Sequence, residues 1–465
     1  MNKLSKYGYW IAPILLMVGF AVLLGFNGLY GQDSHEYLRF ATDWKASGLD
    51  PALVSDFQWP IGFPLLGILL SYLGIPLMWS MNIVSLLAAL GVLIYTNKII
   101  VLIYGKSGRL WLLLAAATQV YFIRGGILVM SDMLSCLFVV LGYYHLFRYR
   151  ENKRLASLLY LLLAATFAFF SRYASVPLLV PPVIYGFYLL FKNAGKAVKI
   201  GAALSLVTVT IIFVWLNNRL LSLSSELFTQ WNINNVFSRS IEAQDGTFYR
   251  TVPNIMYIFG NFFHIGYLAL GVLLIPFYKY SSEALRERVL LIGLVFYFFT
   301  LVGLETQNYR FLILSHPLVL ILLFGAFDRF YGMLSLKRLS GVFVIGVLLF
   351  NAAFFFYSFR KTFAVHATEK EVTTALKELK HDGVIYTFYV DQSFPSYGIN
   401  NEVKNLYMES YTEFESGALV VYNPVNFAKQ WKGSKVDLNW KFLISNYELD
   451  TLVYLNDNWR IYEIR

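Results

Sequence analysis

The sequence predicts an all-α polytopic membrane protein that ends in a small α/β extracytoplasmic domain. Of its 465 residues, 57% are hydrophobic and only 14% are charged, whereas a soluble protein carries about 25% charged residues. Apolar runs close to 20 residues long recur up to about residue 358, and such runs are long enough to cross a hydrocarbon core about 30 Å thick. Shorter segments bounded by polar residues follow them. We therefore predict a transmembrane domain over residues 1–358 and an extracytoplasmic domain over residues 359–465.

About eleven transmembrane helices are predicted. The first is interpreted as an uncleaved span, because its apolar stretch is long and no small-x-small cleavage site follows it. The short apolar segment Trp59–Gly74 is predicted to be a half-buried or surface helix. The predicted spans cover residues 9–29, 76–95, 110–123, 127–147, 155–171, 174–191, 198–217, 256–278, 289–304, 311–327 and 341–358.

The distribution of basic residues predicts the orientation. If Lys3 and Lys6 lie in the cytoplasm, most Lys and Arg residues before residue 359 fall in cytoplasmic gaps, as the positive-inside rule requires. The sequence therefore predicts an integral plasma (inner) membrane protein with a cytoplasmic N-terminus. Because the basic residues are spread over these gaps rather than gathered in one patch, the net charge of +10 does not indicate a nucleic-acid partner.

The C-terminal domain is predicted from shorter patterns. Residues 369–380 carry apolar side chains at helical spacing. Residues 383–390 and 418–423 have strand composition, and residues 451–465 have that of a hairpin around Asn456-Asp457. The domain contains no recognisable catalytic motif, and Cys136, the only cysteine of the chain, excludes an intrachain disulfide.

The first extracytoplasmic loop, residues 30–60, contains carboxylates in an otherwise apolar part of the chain. Asp33 and Glu36 have the spacing of a capping box, so they could simply begin a helix. The alternative is an active site at the membrane surface. The residues themselves leave both interpretations open.

Further polar residues fall at the outer ends of the predicted spans. Charges near membrane depth usually mark a site, a partner or a cavity, although residues at span ends also anchor helices by snorkelling. Asp132 follows Ser131 and would also suit a helix N-terminus. Arg172 has no acidic neighbour in sequence and requires a partner from elsewhere or an anionic ligand. The set comprises Asp33, Glu36, Arg124, Asp132, Arg172, Glu305, Asn308, Tyr309 and Arg310.

Several chemistries lack support in the sequence. It contains no phosphate-binding Gly-rich motif and no nucleophilic triad motif. His264 and His316 lie in apolar surroundings without a second ligand at metal-binding spacing, so we expect packed, hydrogen-bonded histidines. No cofactor is assigned.

Five segments together resemble a known superfamily. "QDSHEYLRFATDWKASG" and "FQWPIGFPLLGILLSYLG" resemble the start of GT-C membrane glycosyltransferases, and the pattern is closest to protein O-mannosyltransferases and lipid A aminoarabinose transferases. "LVMSDMLSCLFVVLGYY" resembles the segment with the acidic residue that opens the fourth span of these enzymes. "SRYASVPLLVPPVIYG" and "NYRFLILSHPLVLILLFGA" resemble their later basic turn and their Arg-Tyr-type segment. The resemblance implies a GT-C-type fold.

The resemblance also implies an activity. A polyprenyl phosphate carrier would present a sugar on the extracytoplasmic side, and a hydroxyl of a glycan, lipid or protein acceptor would attack the anomeric carbon with inversion. Asp33 would be the general base, with Asp132 and Glu36 as further catalytic candidates. The residues implied to bind the lipid phosphate or the substrate are Arg124, Arg172, Tyr173, Tyr309 and Arg310.

The sequence departs from the superfamily pattern at two points. Ser34 follows Asp33 where relatives often have a second acidic residue, and Gln58 and Trp59 stand where some relatives have a metal-ligating Glu. The resemblance therefore does not support a bound divalent metal.

Two alternative functions are a lipid-linked glycan polymerase or ligase, whose large outer loop usually lies late in the membrane region, and a transporter or flippase. A transporter or flippase would be expected to have charges deep within its spans or broken helices in matching halves.

Overall fold

The structure is a computed structural model, and its backbone clusters into two compact units, which are described separately here. Unit 1 comprises Met1–Gly28, Phe40–Ser238 and Val252–Ser358, and unit 2 comprises Leu29–Arg39, Arg239–Thr251 and Phe359–Arg465. The residues that the structure describes are 13–15, 17–19, 21–50, 52–53, 57, 59–193, 195, 231–243, 246–249, 252–267, 271–279, 284–304, 308–407 and 409–465.

The described part of unit 1 is built from helices. Helix α1 (Gly31–Ala46) begins in unit 2 and ends in unit 1, and helix α13 (Ser340–Leu379) begins in unit 1 and ends in unit 2. The other helices of unit 1 are α2 (Gly62–Ser71), α3 (Leu77–Tyr104), α4 (Arg109–Leu112), α5 (Val120–Ile127), α6 (Asp132–Asn152), α7 (Leu155–Ser171), α8 (Val176–Asn193), α9 (Asn254–Tyr257), α10 (Gly260–Phe263), α11 (Ala284–Val302) and α12 (His316–Leu336).

The predicted polytopic, helical character is confirmed, but the predicted number of eleven spans is not. Among the described residues, four helices are long and apolar enough to cross a membrane, and a fifth span arises if one bent pair is counted. The four are α3, α12, α13 and the segment Tyr173–Lys192, which includes α8 up to Lys192. The predicted span over residues 9–29 lies partly outside the described residues, and the span over residues 198–217 lies wholly outside them. The predicted short helix after Trp59 is α2, which has one buried face.

The predicted span over residues 110–123 is a broken helix. Arg109–Ala117 and Val120–Ile127 meet at an angle of 78°, and α5 contains Arg124–Gly126, the gap between the predicted spans 110–123 and 127–147. A break at membrane depth frees backbone carbonyls, which require other donors. The Leu114 carbonyl accepts from the Asn351 amide at 3.0 Å, and the Ala115 carbonyl accepts from Nε2 of His316 at 2.9 Å.

The predicted span over residues 256–278 is also wrong as a single helix. Its described residues form α9, α10 and a 3₁₀ segment, Gly271–Phe277. Glycine weakens a helix and proline removes a backbone donor, and this stretch contains Gly260, Gly266 and Pro276. Gly260 also permits close packing, because a Cβ atom at this position would lie 2.8 Å from Cδ1 of Leu312.

Helix α13 joins two predicted elements. The last predicted span, 341–358, and the predicted tail helix, 369–380, form one helix of 40 residues. No Gly or Pro occurs between Gly346 and the end of this helix, so nothing in its sequence interrupts it. The predicted boundary at residue 358 therefore falls inside a continuous helix.

Unit 2 contains a five-stranded sheet, whose strands are β3 (Ile385–Thr387), β4 (Val403–Asn405), β5 (Leu419–Tyr422), β6 (Leu449–Tyr454) and β7 (Arg460–Ile464). Their order in the sheet is β4-β3-β5-β7-β6. Strand β3 pairs in parallel with β4 and β5, whereas β7 pairs antiparallel with β5 and β6. Both the predicted strands and the predicted hairpin are confirmed, while β4 and helices α14 (Pro424–Gln430) and α15 (Val436–Asn446) were not predicted. A separate hairpin pairs β1 (Ser240–Ala243) with β2 (Gly246–Tyr249).

The sheet has a hydrophobic cluster on each face, as alternation along a strand requires. Tyr386 and Val420 pack into one cluster. Their neighbours Ile385 and Val421 pack into the other, together with Leu376 from the end of α13. The helical spacing predicted for residues 369–380 thus places its apolar side on the sheet.

Candidate functional site

A buried cluster of charges in unit 1 joins three of the predicted site residues. Nη1 of Arg172 donates to Oδ1 of Asp132 at 2.5 Å, and Nε of Arg310 donates to Oδ2 of the same carboxylate at 2.6 Å. The Asp132 side chain is 3% exposed, against 13% for Arg172 and 19% for Arg310. We call these three residues the Asp132 cluster. The partner that Arg172 was predicted to require is therefore Asp132.

Local backbone structure presents each member of this cluster. Asp132 is the first residue of α6, where the positive end of the helix dipole also favours a carboxylate. Ser131, which precedes it, makes no capping hydrogen bond through its side chain. Arg172 follows α7 in an extended conformation, with φ −165° and ψ 121°. The Arg310 amide donates to Oδ1 of Asn308 at 3.0 Å, which begins the 3₁₀ segment Tyr309–Ile313.

The charges of the Asp132 cluster do not cancel. One carboxylate faces two guanidinium groups, so the three side chains carry a net charge of +1, and Arg124 lies within electrostatic range of Asp132. The Arg172 guanidinium also lies over the Phe311 ring, 5.2 Å from its centroid. An excess of partly exposed guanidinium groups at the ends of apolar helices can bind an anion, for which the planar Arg fork is well suited.

Tyr309 is held in an aromatic stack beside Arg310. Its ring lies 4.3 Å from the Tyr257 ring and 4.3 Å from the His264 ring, measured between centroids. The Tyr267 hydroxyl donates to the Tyr309 carbonyl at 2.5 Å. The stack and this hydrogen bond fix the backbone from which Arg310 extends.

Both histidines in apolar surroundings are packed and hydrogen-bonded, as predicted. Nδ1 of His264 accepts from the Gly266 amide at 3.0 Å. His316 is fully buried, and its Nε2 contacts the Ala115 carbonyl at the broken helix.

Asp33 and Glu36 lie in the part of α1 that belongs to unit 2. The helix begins at Gly31, which places Asp33 in its first turn rather than at the residue before it. The Tyr30 amide donates to Oγ of Ser34 at 3.0 Å, so a serine serves this amide. Glu36 accepts two hydrogen bonds from the Arg39 guanidinium, at 2.7 and 2.5 Å. Its carboxylate is therefore occupied by an exposed ion pair.

The structure also places two further predicted residues, Tyr173 and Arg124. Tyr173 packs against Phe169, with ring centroids 5.0 Å apart, and Arg124 lies within α5. Glu305 lies outside the described residues. Among the residues that the structure does describe, no group of three or more His, Cys, Asp or Glu side chains could hold a metal ion.

Sequence analysis does not single out three polar residues that unit 2 brings together. His35 is 1% exposed and contacts both Glu369 and Ser396. No motif marks His35, and 334 positions separate it from Glu369. Only the folded chain shows this contact.

Comparison with known families finds a match to part of the chain. A family model described as dolichyl-phosphate-mannose-protein mannosyltransferase matches residues 59–217. No curated protein sequence matches the chain at a significant level.

Solved structures match over nearly the whole chain. The crystal structure of apo ArnT from Cupriavidus metallidurans matches with 13% identity and a TM-score of 0.61, covering 97% of each chain. The structure of the same protein bound to undecaprenyl phosphate matches with 12% identity and a TM-score of 0.63, covering 99% of this chain and 98% of the other. The archaeal oligosaccharyltransferase AglB from Archaeoglobus fulgidus, in complex with an inhibitory peptide and a dolichol-phosphate, matches with 10% identity and a TM-score of 0.47. It covers 100% of this chain and 75% of the AglB chain.

The comparisons support the fold and the class of protein. The chain has the fold of ArnT over nearly its whole length, and the predicted resemblance to GT-C membrane glycosyltransferases is confirmed. With its long apolar helices, it is an integral membrane protein. The family match includes Arg124, Asp132 and Arg172 but ends before Arg310 and begins after Asp33.

Proposed function

We propose that this protein is a membrane glycosyltransferase that moves a sugar from a polyprenyl phosphate carrier to an acceptor hydroxyl on the extracytoplasmic side. The observation that carries the proposal is the Asp132 cluster, in which two guanidinium groups outnumber one buried carboxylate. The solved relative with the same fold binds undecaprenyl phosphate. A lipid phosphate brings an anion to three side chains that together carry a net positive charge.

In the proposed reaction, the acceptor oxygen forms a bond to the anomeric carbon while the bond from that carbon to the carrier phosphate breaks. The electron pair of the broken bond leaves with the polyprenyl phosphate. Arg310 and Arg172 stabilise the negative charge that develops on the phosphate oxygen, and fixed guanidinium groups are effective in this role because they need little reorganisation. A single displacement inverts the anomeric centre.

Asp33 is the proposed general base, which removes the proton of the attacking hydroxyl. It is half-buried in the first turn of α1, where the helix dipole favours a carboxylate. The other two catalytic candidates, Glu36 and Asp132, both form ion pairs with arginine. Glu36 is engaged by Arg39, and both oxygens of Asp132 are engaged by guanidinium groups.

Asp132 therefore has a different proposed role. It holds the two arginine side chains in fixed positions and keeps one phosphate-binding group beside the other. Because the carboxylate offsets only part of their charge, the arginines remain able to attract an anion. Asp132 is a positioning residue in this account, and not the base.

The transporter alternative gains one observation, the bent pair Arg109–Ala117 and Val120–Ile127. A transporter of the inverted-repeat type would have a matching broken helix in its other half. Among the described residues this pair is the only one of its kind. Its freed carbonyls are also served by His316 and Asn351 from the same unit, which favours a structural role for the break.

Chemistry and transport can be separated in one experiment. The full chain in lipid nanodiscs is given undecaprenyl phosphate mannose or undecaprenyl phosphate aminoarabinose together with a membrane extract as acceptor, and release of undecaprenyl phosphate is measured. We expect release in the wild type, and we expect Asp33→Asn and Arg310→Lys to lower it well below the wild-type rate. In liposomes, translocation of a fluorescent polyprenyl phosphate sugar without release of the sugar would overturn the proposal in favour of a flippase.

A further inference from the structure

Three polar side chains in unit 2, of which His35 and Glu369 are buried and Ser396 is partly buried, form a connected group. Nε2 of His35 lies 3.1 Å from Oε2 of Glu369, and Nδ1 of His35 lies 2.9 Å from Oγ of Ser396. His35 is 1% exposed and Glu369 is 4% exposed. A buried polar group is costly unless its hydrogen bonds are satisfied. Here both ring nitrogens of His35 have a partner, so this group specifies how the start of α1 is held.

One member of this group, Ser396, belongs to the residues that follow the carboxyl ends of the parallel strands β3 and β4. The Asp391 carboxylate, four residues after β3, accepts from the Asn405 amide at the end of β4 at 2.8 Å. Ser396 belongs to the segment that follows Asp391. Two residues beyond the end of β4, the Tyr407 hydroxyl accepts from the side chain of Gln32 at 2.5 Å.

This edge is the position where open α/β sheets usually bind a ligand, outside the carboxyl ends of their strands. In this protein, the residues held there are Gln32 and His35, from the first turns of α1. The edge at which open α/β sheets usually bind a ligand thus contacts a helix of the same chain in this domain.

The geometry of α1 connects these contacts with Asp33. Residues two apart in an α-helix are separated by about 200° around the axis. Asp33 therefore projects from the side of the helix roughly opposite His35. The buried His35 anchors one side while the half-buried Asp33 remains on the other.

A Ser–His–Glu arrangement also resembles the triad of a hydrolase. Two observations argue against that interpretation. A catalytic histidine must reach the leaving group, but His35 is almost fully buried. The amides that follow Ser396 are also already used, because those of Tyr397 and Gly398 donate to the Phe394 and Pro395 carbonyls at 3.1 Å each. They are not available to stabilise an oxyanion.

We propose that the carboxyl edge of the C-terminal sheet positions the catalytic helix α1, with His35 and Glu369 as positioning residues for Asp33. This inference rests on the proposed function of Asp33 as the general base. It assigns a task to residues 359–465, which contain no recognisable catalytic motif. Holding the base in a productive geometry contributes strongly to the catalytic rate, since a misplacement of about 1 Å can lower that rate about 10²-fold.

The test combines a volume-preserving substitution with Asp33→Asn. His35→Phe keeps a ring in the buried site and removes both polar contacts. We expect backbone amides of residues 31–39 to exchange with deuterium about tenfold faster than in wild type. We also expect kcat to fall about 10- to 100-fold, with KM for the undecaprenyl phosphate sugar changed less than about twofold. In the Asp33→Asn background, His35→Phe should lower kcat no further, because the residue it positions is already inactive.

Glu415→Gln is the matched control. It removes an exposed ion pair with Lys404 in the same unit and should leave both exchange and kcat unchanged. If His35→Phe is poorly folded because it strands the Glu369 carboxylate, the double variant His35→Phe/Glu369→Leu replaces both partners with apolar groups, which is often nearly neutral for stability.

The outcomes are distinct. Wild-type exchange in residues 31–39, or a fall in kcat of equal size in both backgrounds, would overturn the positioning role while leaving Asp33 as the base. Wild-type turnover by Asp33→Asn alone would instead remove the proposed base, and with it the inference.

Discussion

Arg310 donates through Nε to Oδ2 of Asp132 at 2.6 Å, although 178 positions separate the two residues. The other oxygen of the same carboxylate is bound to Arg172. A single buried acid thus determines where two arginines lie. This relationship brings three separate charges at helix ends into one cluster, which is the proposed binding site of the lipid phosphate.

Removing the acid should destabilise the protein in a way that a lipid phosphate can reverse. Asp132→Ala leaves two guanidinium groups without their partner, and breaking a buried pair typically costs about 3–5 kcal/mol. We expect Tm to fall, and we expect added undecaprenyl phosphate to raise Tm by more in Asp132→Ala than in wild type, because a ligand that binds the folded state stabilises it. Thermal unfolding in nanodiscs, with and without the lipid, measures both effects. Equal lipid-induced shifts in the two proteins would contradict phosphate binding at this cluster.

Arg310→Lys should weaken binding of the carrier while the protein still inserts in the membrane. Lysine keeps the charge but loses the bidentate fork that matches a phosphate. We expect the Kd for undecaprenyl phosphate to rise by roughly tenfold, which corresponds to about 1.4 kcal/mol. Arg148→Lys is the control, because Arg148 forms an exposed pair with Glu151. If the two variants bind the lipid equally well, Arg310 does not contact the phosphate.

Asp33→Asn distinguishes catalysis from helix capping. An amide oxygen can accept a backbone hydrogen bond almost as well as a carboxylate, but it cannot take up a proton at neutral pH. Transfer should therefore fall by about 10²–10⁴-fold while Tm stays near the wild-type value. Asp33→Ala should also lose activity, because it removes the proposed base. Since Ser34 serves the Tyr30 amide, this variant should lower the free energy of unfolding by at most about 1 kcal/mol. Transfer at the wild-type rate by Asp33→Asn would exclude the carboxylate as the base.

The orientation predicted from the basic residues has a direct test. Most Lys and Arg residues before residue 359 should be cytoplasmic, with residues 359–465 on the other side of the membrane. Alkaline phosphatase fused after Arg465 should then be active, and a green fluorescent protein fused at the same place should be dark when it is exported unfolded. The opposite pattern would place the C-terminal domain in the cytoplasm and would exclude extracytoplasmic transfer.

Hydropathy and local patterns were sufficient for much of the fold. The apolar helices, the short helix α2 and the helical spacing of Val372 and Leu376 depend on residues close in sequence. The strand composition around Tyr386 and Val420 does so as well. Burial of such faces is an additive, local property, because each side chain contributes its own transfer free energy. For the same reason, His264 and His316 were correctly predicted to be packed.

Tertiary structure alone decided how these elements are interrupted and which charges meet. The break between Ala117 and Val120 is compatible with its buried position because distant donors, His316 and Asn351, serve the freed carbonyls. The pairing of Asp132 with Arg172 and Arg310, and of His35 with Glu369, likewise joins residues far apart in sequence. Such contacts depend on where whole helices pack, and hydropathy does not encode that placement. The sequence by itself therefore determined a helical membrane protein with a small sheet domain, whereas folding decided which of its charges act together.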